Sequence, residues 1–114
     1  MVRWPAVLVV QLKRFTYTLY SRAKISTSVN VPATACFQTA GAGPSPTYDL
    51  FGVANHSGGL GGGHYYAFCQ HPTSHAWREC NDSQCAAMTL GDLQVCGCAG
   101  VVFCCVLLCF VSSS

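Results

Sequence analysis

A mainly β, antiparallel fold is the class this sequence predicts, and three observations predict it. Short runs rich in Val, Ile, Thr, Tyr and Phe recur between turn-forming residues. No stretch before residue 84 carries a helical apolar period. Two aromatic-rich segments, HYYAFCQ from His64 and HAWRECN from His75, flank Pro72, Thr73 and Ser74, which is hairpin grammar.

Each element has its own local reason. Val7 to Leu12 is an apolar, β-branched run closed by Lys13 and Arg14, and reads as a buried strand. Phe15 to Tyr20 interleaves aromatics with threonines and either extends that strand or forms a hairpin arm. Ile25 to Val31 alternates apolar with polar and stops at Pro32, as a strand with one wet face does. Residues 33–47 lose periodicity around GAGPSP and read as a loop, and Tyr48 to Ala54 is the next strand.

For the aromatic hairpin, a turn centred between Pro72 and Thr73 makes paired residue numbers sum to 145. His64 then opposes Asn81, Tyr66 opposes Glu79 and Phe68 opposes Trp77. Directly opposed Cβ atoms lie about 4.5–5.5 Å apart, so an imidazole and an amide meet at the open end of the hairpin. A register more than about one residue out of step is expected to part them. Val95 to Val111 follows as seventeen residues without a charge. A membrane helix needs about 17–25 residues, so both a buried last strand and a tail anchor fit this run.

The chain's 114 residues suit one domain. Apolar residues make up 51% and charged ones 9%, against roughly 25% charged in an ordinary soluble domain. Such a chain is expected to be a piece of a larger core or to associate with something else. A formal net charge of +2 without a dense basic patch gives no support to nucleic-acid binding. Nine cysteines could form a disulfide framework, but the count is odd. Gln11, Lys13 and Arg14 also stand where a secretory leader would have a small-residue cleavage site. A reducing compartment, cytoplasm or nucleus, is therefore expected. Cys96-x-Cys98 and the adjacent Cys104 and Cys105 lack the usual zinc spacing, so no metal or cofactor is expected.

The chemistry centres on NHSGGLGGGHYYAFC, Asn55 to Cys69, where five of six positions from Gly58 to Gly63 are glycine. Glycine costs backbone entropy on folding. The run is either a flexible surface loop or a place where the backbone turns through positive φ or lies close against something else. A histidine opposite an asparagine at that mouth fits half of a thiol-protease apparatus, with the imidazole as base and the amide orienting it. It also fits a plain hydrogen bond across a hairpin. No cysteine reads as a good nucleophile. Cys69 alternates to the other face from His64, Cys80 points away from Asn81, and the tail cysteines sit where burial penalises a thiolate.

The segments VVQLKRF, KISTSVNVP, YDLFGVANHSGGLGGGHYYAFC and WRECNDS resemble, in order and spacing, the C-terminal half of a ubiquitin-specific protease catalytic domain. The resemblance covers about residues 5–103. It implies an incomplete portion of a papain-like α+β fold likened to a hand, with this chain supplying part of an antiparallel palm-type sheet. It also implies thiol-dependent hydrolysis of the isopeptide bond at ubiquitin's C-terminal glycine, with ubiquitin or polyubiquitin conjugates as partners. By the same resemblance His64 matches the catalytic histidine, Asn81 the third triad member and Asp82 the adjacent acidic residue. Gly58, Gly59, Gly61, Gly62 and Gly63 match the loop bordering the channel for ubiquitin's tail. Gly62 and Gly63 are expected to turn the chain into the next strand, Tyr65 to flank the channel, and Tyr66 and Phe68 to pack.

The departures are specific. The family's nucleophilic cysteine lies upstream of LKRF and has no counterpart here, so no activity of these 114 residues alone is expected. The thumb, most of the fingers and their CxxC pairs are likewise unmatched. Gln11 stands where relatives often have histidine, Cys80 replaces an aromatic, and Gly100 and Cys104 occupy aromatic positions. Residues 104–114 diverge from the pattern as a hydrophobic, Ser-ended tail. A non-catalytic ubiquitin-binding or regulatory remnant is the alternative, as is a product with no independent function.

Overall fold

The computed structural model describes residues 3–25, 29, 31–38, 41, 43, 45–59, 62–89, 91–93 and 102–113, with the backbone alone for 59 and 102–113. The described strands are β1 (Val7–Gln11), β2 (Phe15–Tyr17), β3 (Arg22–Lys24), β4 (Thr34–Cys36), β5 (Pro46–Gly59), β6 (Gly62–Gln70), β7 (Trp77–Asn81), β8 (Gln84–Met88) and β9 (Val102–Ser113). The main sheet runs β1-β9-β5-β6-β7-β8, with β4 also paired to β5, and β2 and β3 form a separate hairpin. Every pairing is antiparallel, as the sequence leads one to expect of a mainly β chain.

One long strand organises the sheet. β5 lies along β9 on one side, while β4 and then β6 share its other side. A bulge between Leu50 and Gly52 shifts its register against β9 and flips the alternation. Tyr48 and Leu50 before the bulge and Val53 after it therefore reach the same buried face. Phe68 opposes Val53, and Trp77 opposes Gln70 on that same face. With Val31 and Leu93 these residues form the core. Burying each such side chain contributes about 1.5–3 kcal/mol relative to leaving it in water. Tyr48 also donates its hydroxyl to Pro5 O at 2.8 Å, and Phe37 meets its ring edge-on at 5.7 Å. The molecule is a slab of 44 × 40 × 21 Å with a radius of gyration of 15.9 Å, flatter than the roughly 13 Å of a compact chain of 100 residues.

Several sequence expectations need correction. The Val7–Leu12 strand ends at Gln11 and is not buried, since Val7 is 50% and Val9 57% exposed. β1 is an edge strand with β9 as its partner, so its alternate side chains face water. Of the two readings of 15–20, the hairpin arm is correct. The strand expected over 25–31 falls largely on residues outside those described; Ile25, Val29 and Val31 are not in a strand, and β3 ends at Lys24. The expected loop over 33–47 contains β4 and the start of β5. Three residues carry too little pattern to announce a strand; β4 is recruited by Asp49, Tyr48 and Thr47 opposite it. The charge-free tail supplies β9, an interior strand, and no helix among the described residues is long and apolar enough to cross a membrane.

The aromatic hairpin forms with a longer turn than predicted. β6 and β7 pair as Ala67 with Cys80, Phe68 with Glu79, Cys69 with Arg78 and Gln70 with Trp77, two residues away from the expected register. His71 explains the shift: its Nδ1 accepts the Thr73 and Ser74 amides at 3.2 Å each, and its backbone N–H reaches Ala76 O at 2.8 Å. His75 then takes a φ of 59°, so His75 and Ala76 close the turn instead of starting β7. A displacement of two preserves the side-chain face, because strand alternation has period 2.

The glycines divide by role. Gly58 has a φ of 96°, which favours glycine. Gly62 and Gly63 already belong to β6, paired with Gly59 and Gly58, so they extend the strand and do not turn the chain into it. A Cβ on Gly63 would overlap the His56 ring, with Ser57 O 2.8 Å away, whereas Gly62 faces open space. Gly63→Ala is expected to lose about 1–3 kcal/mol by overpacking, while Gly62→Ala changes stability by no more than about 0.5 kcal/mol. Chemical denaturation of both variants checks this, and equal midpoints would contradict it.

Candidate active site

His64 lies on β6 beside the glycine hairpin, and Asn81 is the last residue of β7. Extending the β6–β7 register puts Tyr66, not His64, opposite Asn81. His64 is therefore the diagonal neighbour on the same face, within reach of long side chains. The contact is made: His64 Nε2 lies 2.5 Å from Asn81 Oδ1. An amide oxygen only accepts, so Nε2 carries the proton and Nδ1 is left as the basic nitrogen. Tyr66 stacks on the imidazole at 6.5 Å between centroids and 18° between planes, and itself meets Phe68 edge-on at 5.7 Å. The ring is thus held from its edge by an amide and from its face by an aromatic rooted in the core.

Asp82 follows at the first position of the two-residue β7–β8 turn, with a φ of 52°, as primed hairpin turns require. Its Oδ2 stands 4.0 Å from His64 Nε2, with side chains 81% and 46% exposed respectively. Solvent screens such a pair, which is worth at most about 1 kcal/mol. His64, Asn81 and Asp82 are thus brought together, by a diagonal contact where the sequence predicted a direct pair.

The hairpin mouth is built on the other side of His64. Gly58 pairs with Gly63 and Gly59 with Gly62, while Gly61 lies outside the described residues. Lys24, from β3, donates its ammonium to Gly58 O at 2.6 Å and His56 O at 3.4 Å. This ties the small sheet to the end of β5 just before the mouth. Tyr65 is 62% exposed, but alternation sends it to the face opposite His64, where its ring lies 4.7 Å from that of His56. It does not join the His64–Asn81 pair.

Sequence reasoning missed Lys24, His56 and Asn55. Lys24 is 32 residues from His56, and no local pattern announces that contact. His56 is 5% exposed, packed against Gly63 and edge-on to Phe15 at 5.7 Å. Burial, reinforced by the Lys24 ammonium, holds its pKa below the ordinary histidine value. Asn55 is fully buried on the His64 face, and neither amide atom has a partner among the described residues. A polar residue inside an apolar run was the available signal. The same holds for Thr89 and Asp92: the Thr89 N–H donates to Asp92 Oδ2 at 2.8 Å and the Asp92 N–H to Thr89 Oγ1 at 3.2 Å. This reciprocal pair is a capping box that starts the helical residues 91–93.

Among the described residues no group of three His, Cys, Asp or Glu side chains could hold a metal. Cys36, Cys69, Cys80 and Cys85 are free, and their register positions put all four on the sheet face opposite His64.

An imidazole with one nitrogen committed to an amide oxygen and the other bare, set beside a side-chain-free hairpin, has the geometry of the base-and-orienter half of a nucleophilic hydrolase site. The sequence profile of the ubiquitin carboxyl-terminal hydrolase family matches residues 1–96, and the chain belongs to that family. It is 37% identical over 94 residues to ubiquitin carboxyl-terminal hydrolase 10 of Arabidopsis thaliana, covering 79% of this chain and 10% of that protein. It is 38% identical over 95 residues to ubiquitin carboxyl-terminal hydrolase 2 of Gallus gallus, covering 81% and 27%. Among solved structures it superposes on the SAGA DUB module of Ubp8, Sgf11, Sus1 and Sgf73 bound to monoubiquitin, with a TM-score of 0.84 and 26% identity over 96% of this chain and 24% of that one. The yeast SAGA DUB module with a mutant Sgf73 gives a TM-score of 0.83 at 26% identity, over 96% and 24%. The chain therefore spans only a tenth to about a quarter of the lengths of these proteins. The fold likeness extends through the divergent tail, because β9 completes the sheet by backbone pairing.

The lowered His56 pKa has a definite sign. The unfolded chain binds this proton more readily, so the stabilisation is present above the ordinary histidine pKa of about 6.5 and is lost as pH falls through the folded value. Thermal unfolding at pH 7.5 and 5.5 is expected to give a lower midpoint in acid. A His56→Gln variant is expected to reduce that difference, and an unchanged difference would contradict it.

Proposed function

We propose that this chain carries the base, its orienting amide and one wall of the tail channel for thiol-dependent hydrolysis of the isopeptide bond at ubiquitin's C-terminal glycine. The observation that carries this reading is the 2.5 Å contact between His64 Nε2 and Asn81 Oδ1 beside the glycine hairpin. With Nε2 holding its proton for Asn81, Nδ1 is free to take a proton from an attacking thiol and later return it to the leaving amine. Asp82 Oδ2 stands 4.0 Å from the same Nε2 nitrogen, beside the orienting amide. Gly58, Gly59 and Gly61 to Gly63 leave room for a substrate whose own end is backbone-thin.

The thiolate comes from outside these 114 residues. The four cysteines with described side chains share the face opposite His64, so none can approach Nδ1. On this reading the nucleophile is the upstream cysteine of the family pattern, which has no counterpart in this sequence; the chain alone is inactive, and acts as part of a longer protein or as a ubiquitin-binding remnant. The second reading is favoured by the same observation, a formed mouth with no thiol beside it among the described side chains. The four free cysteines among the described residues and the odd total of nine in the sequence support a reducing compartment, cytoplasm or nucleus.

Two measurements on the purified chain test this. Turnover of a fluorogenic ubiquitin ester or amide is expected to be nil; turnover abolished by alkylation would overturn the external thiolate. Amide shifts on adding ubiquitin are expected at Gly58, Gly62, Gly63 and His64, and their absence at about millimolar ubiquitin, where even weak association of about 4 kcal/mol registers, would overturn the channel.

A further inference from the structure

We propose that Cys80 and Cys85 form a reversible dithiol–disulfide pair, oxidised by hydrogen peroxide, that staples the hairpin presenting Asn81 and Asp82. The two residues are direct cross-strand partners in β7 and β8, one pair beyond Asn81 and Gln84. Their sulfurs are 3.2 Å apart and hydrogen bonded. Beside a two-residue turn, the second pair is a non-hydrogen-bonded one, with Cα atoms about 4.5 Å apart. A disulfide accepts Cα separations of about 4.4–6.8 Å and draws the sulfurs to about 2.05 Å. Bond formation therefore asks for a small rotation of side chains already in contact, with no movement of the strands. Cys85 is exposed and Cys80 half-buried, and both are free, so peroxide reaches Cys85 first.

The chemistry balances without a further reagent. The Cys85 sulfur attacks one peroxide oxygen, the O–O bond breaks, and a sulfenic acid and one water result. The Cys80 sulfur then attacks the sulfenic sulfur, the S–O bond breaks, and the hydroxide leaves as a second water with the remaining thiol proton. Two thiols lose two electrons in all, and the peroxide gains them. Two small-molecule thiols, such as glutathione, reverse the bond by exchange and are themselves joined.

The resting state is the dithiol. The hydrogen bond that Cys85 donates to the Cys80 sulfur, with burial and the Cys80 charge adding, pushes the Cys85 thiol above its ordinary range, against the pull of Arg78. Arg78 sits on the same sheet face, two positions before Cys80. Cys69, opposite Arg78 on β6, shares that face and is the competing thiol. The pairing itself does not rest on the proposed protease role. Its consequence for catalysis does, because the staple fixes the strand end from which Asn81 reaches His64.

Peptide mapping of the whole chain decides it. After mild peroxide and alkylation of the remaining thiols, cleavage before Asp49, Asp82 and Asp92 places Cys69 and Cys80 in residues 49–81 and Cys85, as the lone cysteine, in 82–91. The expected product is 49–81 joined to 82–91 through Cys80, formed before the other thiols are consumed, separated by dithiothreitol and missing in Cys85→Ser. The unsubstituted chain is the primary reporter, so a variant that fails to fold leaves the test intact. A Cys69–Cys80 bond with Cys85 alkylated, Cys85 taken to the sulfinic acid, or Cys85 joined to a second chain would each overturn the proposal.

Discussion

The contact between His64 and Asn81 depends on two hairpins being in register at once. The β5–β6 hairpin carries His64 out to the glycine mouth, and the β6–β7 hairpin brings Asn81 back to meet it. Strand pairing fixes side-chain faces absolutely, because a slip of one residue sends every side chain to the other face. Phe68 against Val53 and Trp77 within the core set those faces through burial. The hydrophobic face of the sheet is thus what aims the imidazole, and Tyr66 links the two by stacking on His64 while packing against the core.

That dependence explains how much could be read in advance. The meeting of His64 and Asn81 was legible because aromatic strand segments and a Pro-containing turn limit where a chain reverses, while Asp82 came from the family resemblance alone. The register was not legible to the residue: His71 binds the Thr73 and Ser74 amides through its ring and lengthens the turn, which no propensity announces. The displacement was two residues, larger than the margin set on the sequence alone, yet an even number, so the face survived and a diagonal contact replaced the direct one. Strand β4 and the bulge in β5 were invisible for a related reason, since both follow from pairing partners distant in sequence. The Lys24 clasp on Gly58 O is a tertiary fact of the same kind.

The glycine run meets both backbone demands that the sequence allowed, positive φ and close approach, at different positions. Backbone geometry requires glycine at Gly58, and the His56 ring requires it at Gly63. In the proposed function, space for a substrate tail is a third demand, on positions already freed of side chains by the first two. His56 behind the mouth and Lys24 across it make the hairpin a supported structure. In the proposed role as a wall for a thin substrate, the hairpin needs that support more than it needs mobility, because positioning is worth far more than contact area in bringing reactants together.

The tautomer of His64 tests the central claim most directly. Long-range proton–nitrogen correlation of the histidine rings near neutral pH, assigned by a His64 substitution, reports which nitrogen carries the proton. An Nε2–H ring that loses this preference in Asn81→Ala is the result expected from the Asn81 Oδ1 contact. An Nδ1–H ring, or a tautomer unmoved by removing the amide, would contradict it.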